Sequence, residues 1–466
     1  MSVLLTHGYF LAEDAKEQEI MRPYPPLGLL YISAFLLQNG IENKVLDSTF
    51  SSFDNFKDYI HDHQPKVIAI YTNLMTKIRV LEMAKYAKEI LPETSIIFGG
   101  PDVTYNTENY LKHGADYLVI GEGENSMLEL TQHLLGEKKE APKHIDGIAF
   151  MDDNGSVVKT NARTKVRDID ELPIPNRSAI DIPKYLEVWK EHHGQNAINI
   201  STQRGCPYTC KWCSTAVYGQ SYRRRSPKLV VEELKQLIEE YKPDTFWFVD
   251  DVFTVSHKWL KEFCETLTQE NVSIQFECIS RADRMNSEVI YLLKEAGCFR
   301  VWIGAESGSQ KIVDAMDRRV SVQHVRNMIV ETQKHGIQAG TFIMLGYPGE
   351  TMEDIKETIH HLKVSNPDHF TITVAYPIKG TSLYDDINHH IITDNDWATS
   401  TDRDIDFKRT YSRRFYDFAV KYIINEVQIN KSKGKKGGVF NKAKLRLKSK
   451  MASIGMLLSK IGLLSS

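Results

Sequence analysis

Residues 197–213 read Ala197-Ile198-Asn199-Ile200-Ser201-Thr202-Gln203-Arg204-Gly205-Cys206-Pro207-Tyr208-Thr209-Cys210-Lys211-Trp212-Cys213. The apolar run Ala197–Thr202 reads as a buried strand, and the loop after it holds three of the chain's six cysteines within eight residues. Five more strand-like runs follow, at Thr245–Asp250, Ser273–Ile279, Arg300–Ala305, Gly340–Leu345 and Phe370–Ala375. Helical stretches at Lys228–Tyr241, Lys258–Thr268, Ser287–Ala296, Gln310–Ala315, Gln323–Lys334 and Met352–Lys363 fill the gaps. Strands alternating with helices imply a parallel sheet. Six repeats predict a partial (β/α)6 barrel over residues 196–385, with its chemistry at the C-terminal ends of the strands.

The alternation also runs through residues 1–138. Short apolar runs at Ser2–Thr6, Lys44–Asp47, Lys66–Thr72, Ser95–Phe98 and Tyr117–Ile120 are separated by helical stretches. This predicts an α/β, doubly wound, Rossmann-like domain. Its ligand should sit on the loops after the strands: Thr72-Asn73-Leu74-Met75, Gly99-Gly100-Pro101 and Gly121-Glu122-Gly123-Glu124. Gly121-x-Gly123 alone is a weak nucleotide signal. Residues 139–195 break the pattern and read as a linker with a small hairpin at Asp152-Asp153-Asn154-Gly155. Residues 386–466 read as a helical region that becomes strongly basic.

Hydrophobic residues make up 42% of the 466 and charged residues 26%, as in ordinary globular proteins. Six cysteines are too few for a disulfide scaffold. The longest apolar stretches fall short of the ~20 residues a membrane span needs, and the N-terminus does not read as a signal peptide. The expected compartment is the cytoplasm. The net charge of −3 conceals an uneven distribution: residues 431–466 hold ten Lys or Arg and no acid, so the first 430 carry −13.

Three thiolates as close as Cys206, Cys210 and Cys213 can hold one cluster. Zinc wants a fourth ligand, and no nearby residue supplies it, whereas thiolates are the usual ligands of iron–sulfur clusters. Cys264, Cys278 and Cys298 read as core residues.

The Cys-x3-Cys-x2-Cys spacing with Trp212 before the last cysteine resembles the cluster motif of radical S-adenosylmethionine enzymes. Further matches follow at Phe248–Thr254, Glu277–Asp283, Gly304–Ser309 and Gly346–Thr351. Together with the N-terminal domain and the Leu172-Pro173-Ile174-Pro175 linker, the chain is similar to the cobalamin-binding radical S-adenosylmethionine enzymes. That branch holds C-methyltransferases, hopanoid-type methylases and the anaerobic magnesium-protoporphyrin ester cyclase.

The resemblance implies that Cys206, Cys210 and Cys213 ligate a [4Fe–4S] cluster whose open iron takes S-adenosylmethionine, and that a 5′-deoxyadenosyl radical results. It implies S-adenosylmethionine contacts at Asp250, Asp251, Glu277, Ser280, Arg281 and Glu306. For Asp250 and Asp251 the alternative is a helix cap; for Arg281, an ion pair with Asp283; for Glu306, a structural ion pair. Strand alternation puts Arg300, Trp302, Gly304 and Glu306 on one face and Val301, Ile303 and Ala305 on the other. The Gly346–Glu350 turn reads equally as a contact or as structure. The Arg223–Arg225 run is either an anion anchor or a solvated or ion-paired face.

For cobalamin the candidate contacts are Thr72, Asn73, Met75, Gly99, Gly100, Gly121, Glu122 and Gly123. The Asp-x-His-x-x-Gly signature is absent, and His7 and His113 do not match it. A degenerate domain that only scaffolds the barrel is the alternative.

The expected partners are a small-molecule or lipid substrate and an electron donor such as flavodoxin or ferredoxin. The resemblance implies first a cobalamin-dependent radical C-methyltransferase acting on an unactivated carbon, with an oxidative cyclase or rearrangement enzyme as the alternative and a non-catalytic metal-binding scaffold as the remote third reading. The basic tail, with Gly434, Gly437 and Gly438 at its start and the apolar series Leu445, Leu447, Met451, Ile454, Leu457, Leu458 and Ile461, reads as a membrane-surface helix. Peripheral contact at the inner face of the membrane is expected. Nucleic acid is not, since aromatic interleaving is limited to Phe440.

Overall fold

In the computed structural model, which describes residues 2–138, 141–215, 217–393, 395–432 and 439–461, the chain divides into two compact units. The first comprises residues 2–207, 214–247 and 395–404; the second comprises residues 208–213, 248–393 and 405–461.

In the first unit, β1 (Val3–His7), β2 (Lys44–Leu46), β3 (Val67–Tyr71), β4 (Ser95–Gly99) and β5 (Tyr117–Val119) form a parallel ladder ordered β2-β1-β3-β4-β5. The order reverses between β1 and β3, which is the switch point of a doubly wound sheet. The connecting helices are α1 (Ala15–Ile20), α2 (Leu27–Gln38), α3 (Phe53–His63), α4 (Lys77–Ile90), α5 (Thr107–Lys112) and α6 (Gly123–Leu134). The period-2 pattern of the strands assigns the helices to faces. Leu4, Ile68, Ile70 and Phe98 pack on Phe56 of α3 and Val80 of α4. Val3, Leu5, Val67 and Ile97 pack on Leu30 of α2 and Met127 of α6.

Past β5, the hairpin of β6 (Ile148–Met151) and β7 (Val157–Lys159) continues the same sheet antiparallel. The expected turn closes it, with Gly155 at φ +75°. Helix α7 (Ile182–His193) lies where the sequence suggested only a linker. Asp181 caps it by accepting from Lys184 N, and Pro183 sits in its first turn, where proline starts helices rather than breaking them. There follow β8 (Ala197–Ile200), the antiparallel pair β9 (Gln203–Arg204) and β10 (Arg223–Arg224), α8 (Pro227–Tyr241) and β11 (Thr245–Phe248).

Residues 395–404 return from the far end of the chain to this unit. Trp397 meets Tyr110 edge-on at 4.8 Å, and the Lys77 ammonium lies 4.4 Å from its ring. Both Tyr110 and Lys77 are buried.

In the second unit, β12 (Phe276–Ser280), β13 (Cys298–Glu306), β14 (Gln338–Leu345) and β15 (His369–Val374) pair in parallel in that order. With β8 and β11 they make up the six strands expected along residues 196–385. The intervening helices are α9 (His257–Gln269), α10 (Ser287–Glu295), α11 (Gln310–Ala315), α12 (Val322–Lys334) and α13 (Met352–Ser365); α14 (Ser382–Ile387), α15 (Arg413–Lys431) and α16 (Val439–Lys460) follow. Val301, Ile303 and Ala305 are buried, as the alternation along β13 requires. Cys278 and Cys298 are core residues, and the partly buried Cys264 donates to Leu292 O at 3.3 Å. The expected loose segment at residues 434–438 lies outside the described residues.

Candidate cofactor sites

The cysteine loop is fixed to the second unit by its backbone. Lys211 N donates to Met316 O at 3.2 Å, and Leu383 N donates to Lys211 O at 2.8 Å. A turn then brings Cys213 N onto Cys210 O at 3.1 Å. Two buried guanidinium groups meet Cys210 Sγ, Arg281 Nη1 at 3.4 Å and Arg318 Nη1 at 3.5 Å. Arg281 is held by Asp283 at 2.9 Å and by Arg318 O at 2.6 Å, and it lies 3.9 Å from the Tyr208 ring centre. The alternative of an ion pair with Asp283 is therefore present, and the same side chain also meets the cysteine loop.

Glu306 ends β13 at a bulge. The β13–β14 register skips Ala305, and Glu306 takes φ +63°. This left-handed backbone, rare for a residue with a side chain, goes with a fully buried carboxyl 3.7 Å from Arg318. Burial raises its pKa above the usual carboxylate value, while Arg318 and Arg281 pull the other way. Arg318 also donates to Gly304 O at 2.8 Å, so one side chain joins β13 to the cysteine loop.

The other strand-end residues divide. Glu277 is bound by Arg300 at 3.0 Å and Trp302 Nε1 at 3.0 Å. Ser280 Oγ shares a hydrogen bond of 2.5 Å with Thr254. Asp250 is buried and Asp251 is exposed. The cap of α9 is Ser256, which accepts from Trp259 N, so neither aspartate is needed there. In the Gly346–Glu350 turn, Gly346 N donates to the fully buried Glu350 carboxylate at 2.6 Å. Burial lifts that carboxyl to about 8 despite this bond.

In the first unit a cavity of about 390 Å³ opens at the C-terminal ends of β1, β3, β4 and β5. Its wall is largely apolar, including Leu5, Leu29, Ile32, Ala69, Ile97, Val119 and Met127. Gly99, Gly100, Gly121, Glu122 and Gly123 line it as expected from their loops; Thr72, Asn73 and Met75 do not. Thr72 is buried beside Tyr110 at 3.4 Å, Asn73 accepts from Met75 N and Thr76 N, and Met75 faces solvent. Gly100 permits the close approach: it has φ +119°, and a Cβ there would stand 2.1 Å from Thr72 O.

One ionic cluster interrupts the apolar wall. Arg204 pairs with Glu124 and lies 3.7 Å from Glu122, which also pairs with Arg223. The Arg204 guanidinium lies between the rings of Tyr31 and Tyr218, 5.4 and 5.5 Å from their centres. Desolvation lowers the Arg204 pKa, but Glu124 and Glu122 outweigh it and hold the residue charged. Within the Arg223–Arg225 run, Arg223 and the buried Arg225 are thus ion-paired, Arg225 with Glu233, and Arg224 donates to Thr202 Oγ1 at 3.1 Å. Glu124 belongs to a loop expected at the cavity, whereas Tyr31, Arg204 and Tyr218 were not legible as cavity residues. Their partners are too far away in sequence for any local pattern to reveal them.

The donor sets suit the implied groups. None of Cys206, Cys210 and Cys213 is in a disulfide, and two guanidinium donors meet the sulfur of Cys210, so the loop offers three sulfur ligands with cationic charge beside them. Among the described residues no three His, Cys, Asp or Glu side chains stand ready as a metal shell. The cavity offers glycine backbone and apolar walls for a large planar ligand, and no histidine lines it. His7 is instead bonded to Asp47 at 2.9 Å, and His113 to Asn109 O at 2.7 Å.

Residues 200–362 match the radical SAM superfamily model, and residues 19–131 match the B12 binding domain. An uncharacterized methyltransferase of Pyrococcus horikoshii is 29% identical over 396 residues, covering 84% of each chain. The anaerobic magnesium-protoporphyrin IX monomethyl ester cyclase of Rubrivivax gelatinosus is 24% identical, over 84% of this chain and 71% of its own. The fold is similar to that of the cobalamin-dependent S-adenosylmethionine radical enzyme OxsB with aqua-cobalamin bound (TM-score 0.74, 16% identity, 98% of this chain and 72% of that one). It is equally similar to the radical S-adenosylmethionine methyltransferase TsrM from Kitasatospora setae with cobalamin and [4Fe–4S] cluster bound (TM-score 0.74, 15% identity, 98% and 96%).

A B12-binding domain followed by a radical SAM domain defines the class. The chain belongs to the cobalamin-binding radical S-adenosylmethionine enzymes. A [4Fe–4S] cluster and S-adenosylmethionine come with the second domain, and cobalamin with the first.

Proposed function

We propose that this enzyme transfers a methyl group from S-adenosylmethionine to an unactivated carbon. The observation that carries the reading is the pairing, in one chain, of an apolar glycine-edged cavity at the β1/β3 switch point with a guanidinium-lined cysteine loop. The Pyrococcus methyltransferase, alike over most of both chains, supports it. When bound, the cluster, S-adenosylmethionine and cobalamin supply the one-electron and methyl-transfer chemistry.

The chain's residues position and insulate. Cys206, Cys210 and Cys213 hold the cluster. Arg281 and Arg318 neutralise charge at Cys210, and Glu306, with Asp250, Asp251, Glu277 and Ser280, surrounds S-adenosylmethionine. Gly99, Gly100, Gly121 and Gly123 let the backbone lie against the corrin, Glu122 holds the rim arginines, and Thr72, Asn73 and Met75 shape the loop behind. The domains we assign to these tasks are 1–138 and 196–385, joined by 139–195 and followed by 386–466.

The proposed setting is the cytoplasm under anaerobic conditions, with a flavodoxin- or ferredoxin-like electron donor. Among the described residues no helix is long and apolar enough to cross a membrane. The C-terminal tail makes peripheral membrane contact, and the substrate is a small molecule or a lipid.

Oxidative cyclisation is the second reading, favoured by the cyclase relatives. Anaerobic turnover of the reconstituted protein with extract-derived substrate separates the two. Formation of both 5′-deoxyadenosine and S-adenosylhomocysteine supports methyl transfer; deoxyadenosine alone supports cyclisation. Full turnover by Cys210→Ala would overturn both.

A further inference from the structure

Helix α16 is packed in the reverse sense for a globular protein. The side it turns to α15 is built from small residues. Ser449 and Ala452 are buried there, and Ser449 Oγ donates to Glu426 Oε1 of α15 at 2.7 Å. Gly455 lies so close to Phe418 of α15 that a Cβ would stand 2.5 Å from the ring. Met456, 2% exposed, fills the seam beside them. The large apolar residues point the other way: Leu447 is 61% exposed, Met451 62%, Ile454 47%, Leu457 59% and Ile461 59%.

An amphipathic helix ordinarily turns its large apolar side chains to the core and its polar ones to water. Here the core side is already filled, so the outer row has no intramolecular purpose. The row follows helical spacing, with Leu447, Met451, Ile454 and Ile461 on one face. Lys444 and Lys448 border it on one side, Arg446 and Lys450 on the other. Among the described residues these four have no ion-pair partner, and α16 contains no acid. An apolar row between two basic rails matches an anionic bilayer, where the apolar side chains enter the acyl boundary and the long cations reach the headgroups.

We propose that this outer face of α16 docks the enzyme on a surface of anionic phospholipid. The inference rests on the peripheral contact proposed above but not on the reaction catalysed.

The test is sedimentation of the full-length protein with vesicles of phosphatidylcholine alone or mixed with phosphatidylglycerol, at low and high salt. Two variants are compared, Leu447→Gln/Met451→Gln/Leu457→Gln and Lys444→Gln/Lys448→Gln. All five side chains are outside the α15 seam, and circular dichroism confirms the fold. The expected result is binding to the anionic vesicles, weakened by salt. Binding should fall about fivefold for each lysine removed and be lost in the apolar variant. Anionic binding that survives the apolar substitutions would overturn this surface while leaving peripheral contact standing. No binding to either vesicle would overturn both. A concentration-dependent dimer in light scattering that the apolar variant abolishes, without vesicle binding, would assign the face to a second copy of the chain instead.

Discussion

Arg318 donates one hydrogen bond to the sulfur of Cys210 and another to the carbonyl of Gly304, at 3.5 and 2.8 Å. A single buried guanidinium therefore spans a proposed cluster ligand and the strand that carries Glu306. Hydrogen bonds to ligand sulfurs raise a cluster's potential by favouring the more negative reduced state. Arg318→Gln should lower the midpoint potential by on the order of 50 mV, read by redox titration of the reconstituted cluster. An unchanged potential at full iron content would show that the contact only positions the loop.

Glu350 gives a pH signature. Burial lifts its carboxyl from 4.5 to about 8, so the folded protein holds this proton while the unfolded chain has lost it. Stability from this group is fully present below about pH 4.5 and falls as pH rises to about 8, where the folded carboxyl also ionises. The expected loss is on the order of 4 kcal/mol across that window. Urea unfolding at pH 5 and pH 8 measures it, and Glu350→Gln should flatten the difference.

Gly100 keeps a left-handed backbone against Thr72. Gly100→Ala must move either the Gly99–Pro101 loop or the end of β3. The backbone strain alone costs about 1–3 kcal/mol. The expected result is a lowered melting temperature and loss of hydroxocobalamin retained after desalting, followed by absorbance. Wild-type retention would exclude this loop from the corrin contact.

Arg204 neutralises two buried carboxylates in the cavity wall. Arg204→Met removes the cation and leaves Glu124 without it, at a cost of about 3–5 kcal/mol. Arg204→Met/Glu124→Gln should recover part of that stability, because the uncompensated charge goes with it. Thermal unfolding of the two variants decides; equal destabilisation would mean that the pair is not coupled.

Period and spacing are local, and what they encode was legible. The β1–β5 and β12–β15 series came from apolar runs alternating with helical ones, the cysteine motif from eight consecutive residues, and the cavity glycines from loops after strands. What depends on distant partners was hidden. Arg318 follows a short helix with no motif around it, and its role appears only when Cys210, 108 residues earlier, lies beside it. Tyr31, Glu124, Arg204 and Tyr218 meet through folding alone. The bulge at Glu306 reverses nothing in the alternation along β13, yet no pattern announces its left-handed backbone. Helix α7 was missed because the whole of residues 139–195 was read as a linker, although Asp181 and Pro183 carry the cap and first-turn signals of a helix start.

The return of residues 395–404 bears on how the protein is made. Tyr110 and Lys77 are covered by Trp397, which leaves the ribosome almost 290 residues after Tyr110. At about 5–20 residues per second the N-terminal unit waits roughly 15–60 s with that patch open. Its core strands can form early, but this contact waits until residues 395–404 have been made. A chain cut before residue 395 keeps every strand of the N-terminal sheet and still lacks the piece that closes it, which makes premature termination visible to chaperones and proteases at the first domain.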